Sequence, residues 1–215
     1  MFGGTSMELW LLGVTLVVLT GLNAPLGMLA LGLAAGGLPL ALRADLAWLA
    51  APDTVSFWNA LLVLQFLADL YFVPSTTRDH VYLHRDRTAN SYLHARLQSF
   101  VRPLLAALAF AALPFQLQVQ MAAVLGFLGG TAVYWATAWA REKVAVSRGS
   151  VILLLLEMAK NLTGLVVAGL VAWLVPLALA VLCSGISLVA WWANRLRREQ
   201  QLYPPLGGQV ASEDS

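Results

Sequence analysis

Three ionisable side chains, Asp69, Glu157 and Lys160, stand inside stretches otherwise free of charge. Gln65 precedes Asp69 by one helical turn and Asn161 follows Glu157 by one, so each pair shares a helix face. Glu157 and Lys160 are three residues apart and can neutralise each other within one helix. Asp69 has no such partner in its own helix. In hydrocarbon each of these groups costs about 2.5–3.5 kcal/mol on insertion scales, so each needs a reason to be there. The functional reading is a cation or proton path, or a polar-substrate site, formed by Asp69, Gln65, Glu157, Lys160 and Asn161 at a helix interface. Lys160 weighs against a bare cation site, because its charge already offsets one carboxylate. The alternative is a salt-bridged packing network, with Asp69 reaching to the nearby cytoplasmic surface. A second candidate is the break at Gly21-Leu22-Asn23-Ala24-Pro25. Broken helices bring backbone polar groups to transporter substrate sites, and here Asn23 and Thr20 would add side-chain polarity. The alternative there is that glycines serve only close helix packing. Leu19-Thr20-Gly21-Leu22 recurs as Leu162-Thr163-Gly164-Leu165, a short echo in a leucine-rich chain.

Other chemistry is sparse. His80 and His84 are four residues apart, with Asp79, Asp86 and His94 nearby, yet the surrounding arginines favour a solvated basic loop against anionic headgroups over a metal site. With no histidine in any span, haem held by two imidazoles is not expected. The single cysteine, Cys183, excludes a disulfide framework and any multi-cysteine metal site. There is no phosphate-cradling glycine loop, nucleophile elbow or helical zinc motif. No catalytic residue, metal or cofactor is therefore assigned, and the chain is not read as an enzyme.

The elements that must position these groups follow from composition. The 215 residues are 60% apolar and 11% charged, with net charge +2, and mean hydropathy is +0.75. Soluble domains carry about 25% charged residues. A soluble enzyme, a nucleic-acid binder and a disordered protein are all excluded, and nucleic acid is not an expected partner. A hydrocarbon core of about 30 Å requires about 20 apolar helical residues. Val151–Ala193 is about twice that length, with a natural turn at Pro176, predicting helices over 151–174 and 177–194. Val119–Ala140 and Phe57–Val73 predict one span each. Leu93, Leu97, Phe100, Val101 and Leu104 recur at helical spacing, so a helix is expected from near Tyr92 to Leu113, with Arg102 snorkelling outward. At the N-terminus, Leu9–Leu22 and Ala24–Leu42 are either two spans or one broken helix. The fold class is thus all-α: a polytopic transmembrane bundle of seven hydrophobic helices, six or seven of them spanning, with a broken N-terminal segment. Residues 1–199 read as one transmembrane domain with a cytoplasmic loop over 75–100, and 200–215 as a polar, disordered tail. Met1–Met7 has no basic stretch of the kind that opens a signal peptide.

Basic residues set orientation. Arg78, Arg85, Arg87, Arg96 and Arg102, the turn holding Arg141, Lys143 and Arg148, and the end holding Arg195, Arg197 and Arg198 all alternate onto one face. The connections 114–118 and 174–177 hold none, and 43–56 holds only Arg43. Basic loops and the C-terminus are expected in the cytoplasm of a cell whose inner membrane holds the chain. Trp58 and Trp173 would lie at the outer interface, and Trp139, Trp191 and Trp192 at the inner one.

Gly21-Leu22-Asn23-Ala24-Pro25-Leu26, Gln65-Phe66-Leu67-Ala68-Asp69 with Pro74, Phe100-Val101-Arg102-Pro103-Leu104, Gly129-Gly130-Thr131-Ala132 and Leu155-Leu156-Glu157 together resemble an uncharacterised bacterial membrane protein family, domain of unknown function 4126. The likeness covers roughly 15–195. It departs at Gln65, where the family pattern has glutamate, at Leu70, where it has lysine, and at 75–89, which looks like an insertion. The resemblance implies transport by analogy with small cation exporters, and carries over only Asp69 and Glu157. Two functions compete ahead of a membrane enzyme, for which no nucleophile–base pair or ligand set is visible. One is a small transporter or channel for an ion or polar solute. The other is a non-catalytic subunit in a larger energy-converting or pigment-bearing complex, with a lipid-facing stripe of Gly27, Gly32 and Gly36 covered by a protein partner.

Overall fold

The computed structural model describes residues 6–37, 40–72 and 85–171, together with 177, 180–181, 183–185, 187–188, 191 and 195. No strand occurs among the described residues. The chain forms α1 (Ser6–Leu22), α2 (Ala24–Gly37), a 3-10 helix (Ala44–Ala50), α3 (Pro52–Phe72), α4 (Arg85–Ala111) and α5 (Val119–Val171). Val119–Arg141 and Leu154–Val171 are long and apolar enough to cross a bilayer; a third span is counted if the 3-10 helix and Pro52–Ala68, bent by 55°, act as one. Length and composition therefore give two or three spans here, against the six or seven expected. α1 and α2, of 17 and 14 residues, are each short of a bilayer. The Pro176 turn and the tail 200–215 lie outside the described residues.

The N-terminal break is a helical hairpin. A Cβ on Gly27 would collide with the backbone of Thr20, whereas those residues would be about 10 Å apart along one straight helix. Trp10, early in α1, lies 5.8 Å from Phe110 and 4.8 Å from Phe115. α2 returns toward the same end, where the Arg43 amide donates to Ala112 O at 2.9 Å. At the apex, Gly21 approaches Val133 and Gly130, about 17–21 Å along α5 from Val119. The hairpin thus enters from the Arg43 side and turns around short of the Arg141 end. Irregular backbone at that depth is tolerated because protein buries it: Asn23 is 1% exposed.

α3 starts beside Gly32, whose Cβ would sit 2.6 Å from Val55 Cγ2. Ala24–Leu31 is wholly buried, while Gly36 has nothing within 4 Å; α3 therefore runs back along α2 toward the apex. The glycine stripe expected to face a partner is used internally at Gly27 and Gly32.

α5 corrects the expected turn over 141–150, because helical structure continues through it. That segment contains no proline and is rich in strong helix formers. The axis nevertheless reverses. Arg141 Nη2 donates to Glu157 Oε2 at 2.7 Å, although a straight helix would hold the two residues about 24 Å apart. Both limbs return to the hairpin, Gly129 against Val17 and Gly164 against Leu26 and Leu19. Likewise α4 begins at Arg85 rather than near Tyr92, so 85–100 is helical and not a loop. No proline or glycine interrupts Arg85–Val101, and the helix continues beyond its apolar part.

One end is tied by Arg43. Its Nε donates to Leu113 O at 3.0 Å and its Nη2 to Phe115 O and Leu117 O at 2.9 and 2.5 Å, all carbonyls of the connection that follows α4. The connections at 40–43 and 112–117 therefore share one end of the molecule. Replacing Arg43 by methionine is expected to cost roughly 2–3 kcal/mol, the scale of a lost charged hydrogen bond plus orphaned acceptors; thermal unfolding in detergent would read it.

The core is mainly apolar, built around Leu16, Leu19, Leu26, Met28 and Leu31, yet large apolar side chains also cover the outside and several polar ones are buried. Leu97, Phe100 and Leu104 lie outward on α4, with Phe100 69% exposed, while Arg102 on the opposite face is 1% exposed. Leu125, Leu128, Trp135, Leu162 and Leu165 also face out; Thr15, Thr20, Gln65 and Glu157 are buried.

Candidate functional site

The hairpin apex organises the polar residues. The Asn23 amide closes α1 by donating to Leu19 O at 2.8 Å. Its side-chain Oδ1 accepts from the Leu26 amide at 3.3 Å, the capping role that asparagine fills at a helix start. That leaves Nδ2, which donates to Asn161 Oδ1 at 3.2 Å on the second limb of α5. The two candidates drawn separately from the sequence, the broken segment and the Glu157 helix, are thereby joined. Thr20 is buried, but its hydroxyl donates to Leu16 O at 2.6 Å within α1, so it lines the hairpin against Gly27.

Arg102 is the residue whose role the sequence reading missed. Instead of snorkelling outward it is buried at the apex, where Nε donates to Gln98 Oε1 at 2.9 Å and Nη1 to Gly21 O at 3.4 Å. Its guanidinium carbon lies 5.6 Å from the centre of the Tyr134 ring. Gly21 O belongs to the last turn of α1, where carbonyls lack helical partners and the helix dipole is negative, so a cation is stabilised there. The sequence held the signal. Gln98 and Arg102 are one turn apart, opposite the apolar Leu97, Phe100 and Leu104, and in lipid the polar face is the one that turns inward.

Toward the basic end, Glu157 is 3% exposed and is held by both Arg141 and Lys160. The i,i+3 pair with Lys160 stands as read; the bidentate partner Arg141 does not follow from local spacing, since it needs the reversal of α5. A buried carboxylate is retained where such partners satisfy it.

On α3, Gln65 is 7% exposed and its Nε2 has no hydrogen-bond partner among the described residues; Trp58 is equally buried and its Nε1 is also without one among them. Trp58 is thus inside the protein rather than in an outer aromatic belt. Gln65 lies ten residues beyond Val55 and Asn23 nine before Gly32, which places both about 14–15 Å from the Val55–Gly32 contact, at the same depth. Asp69 belongs to α3, one turn further on; its side chain lies outside the described residues, as do those of His80, His84 and His94. The described residues therefore bring Asn23 to Asn161 and Glu157 to Lys160 and Arg141, with Arg102 at the apex and Gln65 level with it. No protein-family profile, curated protein or solved structure matches the chain.

Proposed function

We propose that the chain is a multi-spanning integral protein of the cell inner membrane that moves an ion or small polar solute along the polar residues around the hairpin apex. The observation that carries this reading is the outward display of large apolar side chains, Phe100, Leu128, Trp135 and Leu162 among them, while Asn23, Gln65, Arg102 and Glu157 are buried. In water such an arrangement leaves far more apolar surface exposed than soluble proteins tolerate; in lipid both faces are matched. Asn23, Asn161, Gln65, Lys160 and Glu157 form the path, with Asp69 at its cytoplasmic side and Thr20 shaping the hairpin. Arg102 holds the apex in place. Arg96 and Arg141 mark the cytoplasmic end, and the Arg43 connection the outer one. An accessory subunit would be expected to show a lipid-facing small-residue stripe, for instance Gly27, Gly32 and Gly36; Gly27 and Gly32 are occupied within the chain, which supports the path, while Gly36 has open space around it.

Flux into proteoliposomes, with potassium, chloride, phosphate and glycerol as probes, tests the proposal. At least one probe is expected to move well above the rate in empty vesicles. Asn23→Leu, which removes the Asn161 bond and the α2 cap, is expected to lower that flux about tenfold, the equivalent of one hydrogen bond's net free energy. Rates equal to empty vesicles for all probes, or flux unchanged in Asn23→Leu, Asp69→Asn and Glu157→Gln, would overturn it.

A further inference from the structure

Among the described residues, two buried donors are left over once the hydrogen bonds are accounted for: Trp58 Nε1 and Gln65 Nε2. They are seven residues apart on α3, two turns along one face and about 10 Å from each other. Leu62, between them on that face, is packed against the core, while Leu64 and Leu67 face outward. The face they share is the one α3 turns toward α2. Trp58 lies near the outer end of that interface, one turn past the Val55–Gly32 contact, and Gln65 lies level with the apex.

A buried N–H group without an acceptor is rare in a folded protein, and a bridging water is the usual remedy. An amide side chain alone would leave its own orientation open, because its oxygen and nitrogen can exchange places. The indole settles the matter, since it only donates. Both positions therefore call for an oxygen atom that no described residue supplies. We infer that water fills the α2–α3 interface from Trp58 to Gln65 and forms the outer half of the path. This rests on the path proposed above and gives it a route: along α3 from the Arg43 side to the apex, then past Asn23 and Asn161 to Lys160 and Glu157. The hairpin, which stops short of the cytoplasmic end, forms one wall of the outer half only.

The route is tested by thiol accessibility in proteoliposomes, in a Cys183→Ala background. Gln65→Cys and Leu64→Cys are neighbours at the same depth on different faces of α3. A water-soluble sulfonate methanethiosulfonate reagent is expected to modify Gln65→Cys at least about tenfold faster, because the reacting thiolate forms in water and is suppressed in an apolar setting. Leu62→Cys, on the inner face one turn earlier, is expected to follow Gln65→Cys and provides the readout should the Gln65 variant fail to fold. Modification of these inner-face thiols no faster than Leu64→Cys overturns the inference. Flux is measured separately: transport with inert inner-face thiols rejects the route and keeps the function, whereas reactive thiols without transport keep the hydrated interface and reject the function.

Discussion

Glu157→Ala is expected to destabilise the folded chain by about 3–5 kcal/mol, the cost of breaking a buried ion pair by removing one partner. Arg141 and Lys160 both bond its carboxylate, so its loss leaves two cations facing each other where the limbs of α5 fold together. Thermal unfolding in detergent checks the size. A combined variant, Arg141→Met with Glu157→Leu and Lys160→Met, should lie closer to the parent than Glu157→Ala does, since an apolar replacement of a whole buried ionic group is often neutral. If the single and combined variants lose equal stability, the pairing is not what holds the limbs together.

The second large effect is steric. Gly126 and Gly130 lie one turn apart on α5 and face α4. A Cβ on Gly126 would stand 2.5 Å from Ala106 O and 2.9 Å from Ala107 Cα; one on Gly130 would stand 2.5 Å from Ala106 Cβ. Small residues at this spacing let membrane helices approach backbone to backbone. Because the obstacle at Gly126 is main chain, it cannot be relieved by a rotamer change. Gly126→Ala is expected to cost about 1–3 kcal/mol, as overpacking does, and Gly126→Leu to separate α4 from α5 and abolish a monodisperse peak on gel filtration. Gly36→Ala, with open space around it, should leave unfolding unchanged. A Gly126→Leu chain that unfolds like the parent would show that this contact does not set the helix separation.

What could be read from the sequence divides by distance along the chain. The Glu157–Lys160 pair and the break at Asn23 follow from spacing and residue type alone, because both are local. The Arg141–Glu157 and Asn23–Asn161 contacts are not local. One requires α5 to reverse while remaining helical; the other requires α1 and α2 to fold into a hairpin and meet a helix more than a hundred residues away. Arg102 was misplaced for a different reason. A charge near a proline at the edge of an apolar stretch fits snorkelling, and only its apolar neighbours, which turn outward to Phe100 and Leu104, reveal that it points in. The charge of 141–150 and of the 75–100 segment marks them as connections, yet charge ends an apolar span without ending a helix, and 141–150 and 85–100 are helical.

The most direct test is the side of the membrane from which opposite ends of the molecule react. In a Cys183→Ala background, an impermeant maleimide should label Gln116→Cys and Asp45→Cys, beside the Arg43 clasp, only from outside intact cells. Arg96→Cys, beyond the apex on α4, should react only in inverted vesicles. Labelling of Gln116→Cys and Arg96→Cys from the same side would contradict a chain that crosses the bilayer between them.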